Sequence, residues 1–380
     1  MDFQLPEEHQ MVRNMARDFA EKELMPLATR HDREEHIDRS VFDKMAELGL
    51  WGLTIPEEYG GAGLDNQALT AVLIEINRAC ASTGVTLSVH NSLIGAPLTK
   101  HGTPEQKQTW LPKLATGEIL GSYCLTEANA GSDAAAVQTQ AVRDGDDFVL
   151  NGTKLWVTNG ALAGVYIVYC RTNTEVSKAK GVTAFLVPRD TPGLSVGKHE
   201  MKAGIRGSST TEIVLDNVRI PATNMLGALD RGFPLALETL DGGRIGIAAQ
   251  SIGIGRACLE AAIKYAGERE QFGQPIGNFQ AIQWKIADMS CRLDAAELLT
   301  YKAAWLRDQG LPCTREAASA KLMASTAANF SADECLQIHG GAGYTDDFHV
   351  ERLFRDARIT EIYEGASDIQ RLVIARQLLA

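Results

Sequence analysis

The period of the apolar residues changes twice along this chain, and this change constrains the fold more than any other feature. Up to about residue 116 apolar residues recur at helical spacing. Between about 121 and 228 they form short β-rich runs separated by turn pairs, and from Phe233 longer helical segments return. We therefore predict a multidomain α+β protein with an N-terminal helical domain (1–120), a middle β domain (121–228) and a C-terminal helix bundle (229–380).

Within this frame the patterns predict individual elements. Thr103-Pro104 is typical of an N-cap followed by proline in the first helical position. The runs long enough for strands are 148–150, 165–169, 183–187 and 212–215. The C-terminal stretches with a helical stripe are 233–269, 278–309, 314–340 and 368–379.

Composition and charge exclude several classes of protein. The chain has 380 residues, 45% of them hydrophobic and 22% charged, which is typical of a globular protein of two or three domains. Its net charge of −11 argues against a nucleic-acid partner. We expect no membrane insertion, since no apolar run approaches the roughly 20 residues that span a bilayer. We expect a cytoplasmic location, because the N-terminus lacks a secretion signal and the seven cysteines are scattered without a CxxC pair.

One acidic residue stands where a catalytic base could stand. Glu364 precedes Gly365 and the apolar stripe of the last predicted helix, for which Ser367 or Asp368 is a candidate N-cap. A carboxylate on such a turn, next to a glycine that admits another molecule, is a candidate general base. A solvated loop residue is the alternative interpretation of the same residues.

Two stretches of the β domain combine hydroxyls with an aromatic ring. The segment from Tyr123 to Asp133 contains Thr126 and Ser132 around small residues, which suits a ligand loop but also a domain linker. Trp156 lies two residues before Thr158 at a predicted strand end. A flat ring system could stack there, although a tryptophan is more often part of a core.

The predicted bundle contains three further candidates. Asp241 and Arg244 are three residues apart and therefore share a helix face, as a ligand site or as a surface pair. Arg269 ends the same helix, where it could bind a pyrophosphate or cap the helix. The glycines around Gly340 suit a close phosphate or sugar. His339 has no metal-spaced partner, so we expect no metal site.

Together these stretches resemble the acyl-CoA dehydrogenase family along essentially the whole chain. The resemblance is closest to the short-chain and short-branched-chain members, through Leu240 to Ala248. The matching motifs are Tyr123–Asp133, Trp156–Thr158, Gly204–Ser208, Leu240–Gly246, Arg269–Gly273, Gln337–Tyr344, Arg355–Arg358 and Ile362–Gly365.

The resemblance implies a fold and a chemistry. The fold would be an N-terminal helical domain, a barrel-like middle β domain and a C-terminal four-helix bundle around one FAD and one acyl-CoA. Glu364 would remove the α-proton of the thioester while the β-hydrogen leaves as hydride to flavin N5. Negative charge on the thioester oxygen would be stabilised by the Glu364 N–H and a flavin ribityl hydroxyl. An electron-transferring flavoprotein would be the electron acceptor, and the enzyme would be a homotetramer in fatty acid β-oxidation or a related pathway.

The resemblance also assigns residues. Those that would contact the substrate are Ser132, Asp241, Arg244 and Gly365. Those that would bind FAD within one subunit are Tyr123, Cys124, Leu125, Thr126, Ser132, Trp156, Val157, Thr158, Ala366, Ser367 and Asp368. Those that would hold the FAD of a neighbouring subunit are Arg269, Phe272, Gln280, Gln337, Ile338, His339, Gly340 and Gly341.

Other positions separate subfamilies. Isovaleryl- and long-chain-type members carry their base near Gly243, which is not a carboxylate here, so the base would be Glu364. Ala366 replaces a usual threonine, and Ala128-Asn129 replaces a usual Pro-Gly. A glutaryl-type enzyme would need an arginine within 88–93, where there is none. The alternatives are a branched-chain dehydrogenase, an acyl-CoA oxidase, which usually carries an extra C-terminal domain, and a non-catalytic relative, which would need a lost base.

Overall fold

The computed structural model describes residues 4–379, and its N-terminal part is helical as predicted. Asp65 caps α4 by accepting from the Ala68 N–H, and Thr103 forms a capping box with Gln106 at the start of α7. The helices are α1 (Glu7–Phe19), α2 (Ala28–Glu34), α3 (Arg39–Glu47), α4 (Asn66–Ala79), α5 (Ala81–Ser88), α6 (Ala96–His101) and α7 (Pro104–Ala115).

A π-helical segment, Val89–Gly95, joins α5 to α6 and is buried throughout. The wider helical turn occurs where α5 and α6 pass under the β domain, and such segments often mark functional sites. His90 links the two domains there, with Nδ1 accepting from the Gly121 N–H at 3.3 Å and Nε2 3.0 Å from the Leu114 carbonyl oxygen.

The middle of the chain forms one sheet of eight strands. Its order is β6-β7-β3-β2-β4-β5-β8, and β1 pairs in parallel with β4. All four predicted runs lie inside strands, although β3 and β7 extend well beyond them because both cross the sheet. The strands are β1 (Leu120–Cys124), β2 (Gln140–Asp144), β3 (Asp147–Thr158), β4 (Ala163–Arg171), β5 (Val182–Pro188), β6 (Leu194–His199), β7 (Thr210–Pro221) and β8 (Met225–Leu226).

The C-terminal part is the predicted helix bundle. Alanines line the buried face of α10, which lets it pack closely against α8 and α9. The elements are α8 (Gly232–Glu268), the hairpin of β9 (Glu270–Gln271) and β10 (Gln274–Pro275), α9 (Gln280–Asp308), α10 (Thr314–His339), α11 (Val350–Ile359) and α12 (Ser367–Leu379).

Helix α11 was not among the predicted helices. Its buried face combines apolar Val350 and Leu353 with charged Arg352 and Asp356, so the apolar stripe is interrupted in the sequence. The prediction of an N-cap at Ser367 or Asp368 was also wrong. The Ala366 carbonyl accepts the first helical hydrogen bond of α12, from the Gln370 N–H, and so Ala366 occupies the cap position.

Helix α11 ties the three parts of the chain together. Arg355 makes a bidentate ion pair with Asp32 on α2, at 2.7 and 3.1 Å. Asp356, on the same helix, accepts from the Ile205 N–H in the middle domain. A Cβ on Gly204 would lie 2.2 Å from the Arg355 carbonyl oxygen, so only glycine permits this approach. Two of the family-like motifs therefore form the joint between domains.

Of the helices in residues 4–379, none is both long and apolar enough to cross a membrane. The same part of the chain brings no three metal-binding side chains together.

Candidate active site

Glu364 lies in a tight turn between α11 and α12, as the sequence predicted. Glu364 and Gly365 adopt φ angles of +51° and +95°. Left-handed backbone at a non-glycine residue is uncommon and costs free energy, and such strain is concentrated at functional sites. The turn directs the Glu364 side chain inward, where its Oε2 is buried without a hydrogen-bond partner in the described residues.

A glycine on α8 makes room for this carboxylate. A Cβ at Gly243 would lie 2.2 Å from Glu364 Oε2 and 2.9 Å from a methyl group of Leu93. Glycine inside a helix normally costs about 1 kcal/mol relative to alanine, so its presence here needs a local reason. The contact with Glu364 supplies that reason and shows that α8 passes directly against the carboxylate.

The surroundings of Glu364 change its acidity. Burial raises the pKa of the Glu364 carboxyl to about 7, although the positive charges of Lys321 and Arg244 oppose the rise. Burial also raises the pKa of the flanking Tyr363 and of Tyr123, so both phenols stay neutral at physiological pH. A carboxylate with a pKa near neutrality is suited to take up and release a proton.

Asp241 and Arg244 are buried, so the interpretation as a surface pair was wrong. Arg244 Nη1 lies 2.6 Å from Asp241 Oδ1, and the Thr314 hydroxyl donates to Asp241 Oδ2 at 2.6 Å. The pair lines a cavity of about 940 Å³ between the N-terminal helices, α8 and α12. Three basic residues in the cavity wall were not predicted, because they are far apart in the sequence: Lys100, Arg307 and Arg376.

Close packing surrounds the other side of the Glu364 carboxylate. A Cβ at Gly246, one turn beyond Gly243, would lie 2.3 Å from Ser88 Oγ, so α8 and the end of α5 are in contact. The Tyr363 hydroxyl donates to Gln250 Oε1 one further turn along α8. These contacts pack α8 against Ser88 and against the residue that precedes Glu364.

The predicted flavin-facing residues of the β domain fall into two groups. Trp156 is 59% exposed with φ of +57°, whereas Tyr123, Thr126 and Thr158 are half-buried. Ser132 is exposed on the adjoining loop. The side chains of Cys124, Leu125 and Val157 are buried in the protein, so only their backbone can face a ligand.

The sheet connects these residues to Glu364. The Ser122 hydroxyl donates to the Thr158 carbonyl oxygen, which joins the ends of β1 and β3. Tyr123, the next residue of β1, lies close enough to Glu364 for the carboxylate to raise its pKa. Tyr123, one of the predicted ring-binding residues, therefore lies near the predicted base.

A buried ion pair holds the loop that follows β1. Lys154 Nζ lies 2.6 Å from Glu127 Oε1 and donates to the Leu125 carbonyl. Glu127 in turn accepts from the Gln138 and Thr139 N–H groups. This network fixes the two ends of the loop that contains Ser132.

The remaining predicted residues lie at the other end of the bundle. Arg269 directly follows α8, so at about 1.5 Å per residue it is roughly 40 Å from Arg244. Phe272 is 92% exposed with φ of +54°, and Gln280, Gln337, Gly340 and Gly341 are exposed nearby. Ile338 and His339 are buried, and the His339 ring stacks on Tyr265 at 4.2 Å, so these side chains cannot contact a ligand directly.

The last three residues predicted to bind FAD, Ala366 to Asp368, lie at the start of α12. Ala366 and Ser367 are half-buried, whereas Asp368 is exposed and accepts from Arg371 at 2.9 Å.

These groups fit FAD by their chemistry. An exposed tryptophan in a strained conformation beside half-buried hydroxyls suits the face of an isoalloxazine ring. An unpaired arginine, an exposed phenylalanine and glycines with open space around their Cα atoms suit a pyrophosphate and an adenosine. In residues 4–379 no ion pair or side-chain hydrogen bond engages Arg269, which leaves its guanidinium available.

Comparison with known proteins agrees with this geometry. Three family models match the chain: the N-terminal (residues 6–118), middle (122–218) and C-terminal (230–379) domains of acyl-CoA dehydrogenase. The chain is 51% identical to the mitochondrial short-chain specific acyl-CoA dehydrogenase of Mus musculus, covering 99% of this chain and 91% of the relative. It is 46% identical to the short-chain specific enzyme of Clostridium acetobutylicum, covering 100% of both.

Solved structures show the same fold. The structure of butyryl-CoA dehydrogenase from Megasphaera elsdenii superimposes with a TM-score of 0.98 at 42% identity, covering 100% of both chains. From these matches and the site that the fold assembles, the chain belongs to the acyl-CoA dehydrogenase family and is an FAD-dependent oxidoreductase.

Proposed function

We propose that this enzyme oxidises short-chain acyl-CoA thioesters to trans-2-enoyl-CoA, with Glu364 as the base. One observation carries the proposal: the Glu364 carboxylate is enclosed against Gly243, with a pKa raised to about 7, beside the predicted flavin-facing residues. The short-chain names of the relatives from Mus musculus and Clostridium acetobutylicum, and the butyryl-CoA dehydrogenase structure, support the substrate class.

In this proposal Glu364 accepts the α-proton on its carboxylate. As the proton leaves, negative charge develops on the thioester oxygen and needs a hydrogen-bond donor. No hydrogen bond among the described residues uses the backbone N–H of Glu364, so this group is free to donate to that oxygen. FAD, when bound, supplies the acceptor for the β-hydrogen, which leaves as hydride.

The cavity beside Asp241 and Arg244 would bind CoA. Their buried ion pair holds Arg244 in the cavity wall, where Arg307 and Arg376 would supply positive charge for phosphate groups. Lys100, in the same wall, is paired with Glu238. Ser132 and Gly365 would contact the thioester arm.

Chain length would be limited by the packing around α8. The contact of Gly246 with Ser88 and the hydrogen bond between Tyr363 and Gln250 would close the space beyond the carboxylate. A four-carbon acyl group would fit the short space that this packing leaves, whereas a long acyl chain would not. An enzyme for 2-methylacyl or isobutyryl thioesters is the alternative, because a short branched group has a similar length.

FAD would be shared between subunits of a homotetramer, a dimer of dimers. Trp156 and Thr158 would pack against the ring, and Arg269, Phe272 and Gln280 of a neighbour would hold the distant end. The roughly 40 Å between Arg244 and Arg269 supports two subunits for one cofactor. Exposed aromatic residues on α9, Trp284 and Trp305, support a further subunit interface.

The wider role rests on the family. An electron-transferring flavoprotein would reoxidise the enzyme, and fatty acid β-oxidation in the cytoplasm would be its setting. We propose domain boundaries at 120/121 and 228/229, since β1 begins at Leu120 and α8 at Gly232.

An anaerobic titration of the purified FAD-loaded protein tests the function. Butyryl-, isobutyryl-, 2-methylbutyryl- and octanoyl-CoA are added separately while flavin absorbance is followed, with Glu364→Gln in parallel. We expect butyryl-CoA to bleach the flavin most completely and Glu364→Gln to prevent bleaching. A better branched or longer substrate would overturn the short-chain proposal, and a variant that bleaches as fast as wild type would overturn the base.

A further inference from the structure

We propose that Lys321 is a positioning residue for Glu364: its ammonium group fixes the Glu364–Gly365 turn and supplies the positive charge that faces the buried carboxylate. This inference rests on the proposed role of Glu364 as base.

The position of Lys321 is unusual for a lysine. Its side chain is completely buried on α10, in a helix face lined mainly by alanines. Lys321 Nζ donates to the Gly365 carbonyl oxygen at 2.9 Å, and within residues 4–379 its ammonium group makes no other hydrogen bond. A buried ammonium group is costly unless an anion compensates it. The carboxylates that act on Lys321 belong to the segment around Glu364.

Two carboxylates and one cation face Lys321. Glu364 and Glu361, from the segment between α11 and α12, favour its charged form, while Arg244 on α8 opposes it. Glu361 already pairs with Arg358 at the surface, so Glu364 is the buried anion. Tyr123 and Tyr363 also face the carboxylate, but burial keeps both phenols neutral. Lys321 and Glu364 act on each other through charge, without a hydrogen bond between them.

A neutral residue already fixes the same turn. Gln370 Nε2 donates to the Gly365 carbonyl at 2.7 Å and to the Glu364 carbonyl at 3.3 Å. If the turn needed only a hydrogen-bond donor, a second amide would serve as well as a lysine. The feature that Lys321 adds is its charge, which favours the ionised carboxylate that accepts the α-proton.

The proton balance of this role is simple. The α-proton passes from carbon to a Glu364 oxygen, and Lys321 keeps its own protons throughout. Burial lowers the pKa of Lys321 to about 8, which stays above the value of about 7 for Glu364, so most of the ammonium groups are charged at the pH where Glu364 is half-ionised.

Two substitutions separate the charge from the hydrogen bond. Lys321→Gln retains a donor and removes the charge, whereas Lys321→Met removes both. Lys302→Met on α9 is the matched control, since Lys302 is exposed and its nearest carboxylate is 3.9 Å away. Single-turnover flavin reduction by butyryl-CoA is measured from pH 5.5 to 9, and infrared difference spectra against Glu364→Gln report the protonated Glu364 carboxyl directly.

For both Lys321 variants we expect the pH at which the rate of flavin reduction falls to half of its maximum on the acid side to rise by about one unit. This shift means roughly a tenfold loss at pH 6, with recovery at alkaline pH. The infrared band of the protonated carboxyl should persist to correspondingly higher pH, and Lys302→Met should match wild type.

An equal loss at every pH, with the half-maximal pH and the infrared band unmoved, would overturn the inference in favour of a purely structural role. Lys321 variants with wild-type profiles would also overturn it. If Lys321→Met does not fold, Lys321→Gln decides by the same criteria. Failure of the proposed function is distinguished separately, since it would appear as normal flavin reduction by Glu364→Gln.

Discussion

The two ends of the C-terminal bundle are built in opposite ways. At the end near Glu364 the charged side chains around the carboxylate are enclosed: Arg244 pairs with Asp241, and Lys321 donates to the Glu364 turn. At the other end Arg269 has no described partner and Phe272 is almost fully exposed. The same three long helices form both ends.

This difference suits the enclosed end to the chemical step and the exposed end to subunit assembly. A base must be held in a dry, fixed environment, and one chain provides that environment by itself. The exposed end offers cation and aromatic surface with nothing of its own chain to cover it, which is typical of a surface completed by a partner. We therefore expect changes at the enclosed end to affect rate, and changes at the exposed end to affect cofactor retention and assembly.

A large effect should come from filling the space opposite Glu364. Gly243→Ala places a methyl group where Glu364 Oε2 now lies, 2.2 Å from the new Cβ. The displaced carboxylate should reduce the rate of flavin reduction about 10²-fold, as misplacement of a reacting group by about 1 Å does. Stopped-flow absorbance measures this rate.

The matched control for this change is on the same helix. A Cβ at Gly267, an exposed position of α8, would have no atom within 4 Å. Gly267→Ala should leave the rate unchanged and stabilise the helix slightly, by about 0.5–1 kcal/mol. Equal rates in the two variants would show that α8 does not confine the base.

A smaller effect is expected at the exposed end. Arg269→Ala and Phe272→Ala should weaken FAD retention by about tenfold each, because each removes one contact worth about 1–2 kcal/mol. FAD per protomer after gel filtration measures retention, and sedimentation measures assembly. Arg39→Ala, which changes an exposed arginine on α3, is the control. A loss of flavin reduction rate with full FAD content would contradict the division between the two ends.

A different kind of effect concerns the stability of the enclosed end at acid pH. Burial lowers the pKa of His90 to about 4, and protonation would end the bond that Nδ1 accepts from Gly121. Because the folded pKa lies below the unfolded value of 6.5, its contribution is present above pH 6.5 and is lost as pH falls towards 4. The loss should approach about 3 kcal/mol.

Thermal unfolding of His90→Gln between pH 4 and 7 checks this contribution. The variant should lose less stability than wild type on acidification. Glu364 acts with the opposite sign, since its raised pKa of about 7 makes ionisation costly in the folded state as pH rises from 4.5. The stability of Glu364→Gln, measured against wild type at the same pH, should therefore be higher at pH 7 than at pH 4.5. Identical pH dependence in all three proteins would contradict both assignments.

The sequence predicted features that depend on local pattern. Glu364 became a candidate because Gly365 and an apolar stripe follow it, and its role as base remains a prediction from the family resemblance. The strands were found from their β-rich runs. Lys321 was missed because a lysine among alanines resembles the solvated face of a helix. Arg376 was missed because only the fold brings α12 to the Asp241 cavity. Contacts between segments distant in sequence leave no local signal.

The most direct test of the central claim moves the base across the site. Glu364→Gly removes the carboxylate, and Gly243→Glu in the same chain returns one from α8, which passes within contact of the original position. Anaerobic single-turnover reduction of the FAD-loaded proteins by butyryl-CoA is compared. We predict a loss of about 10²–10⁴-fold in Glu364→Gly and at least a tenfold recovery in the double variant. Wild-type rates in Glu364→Gly would contradict the account.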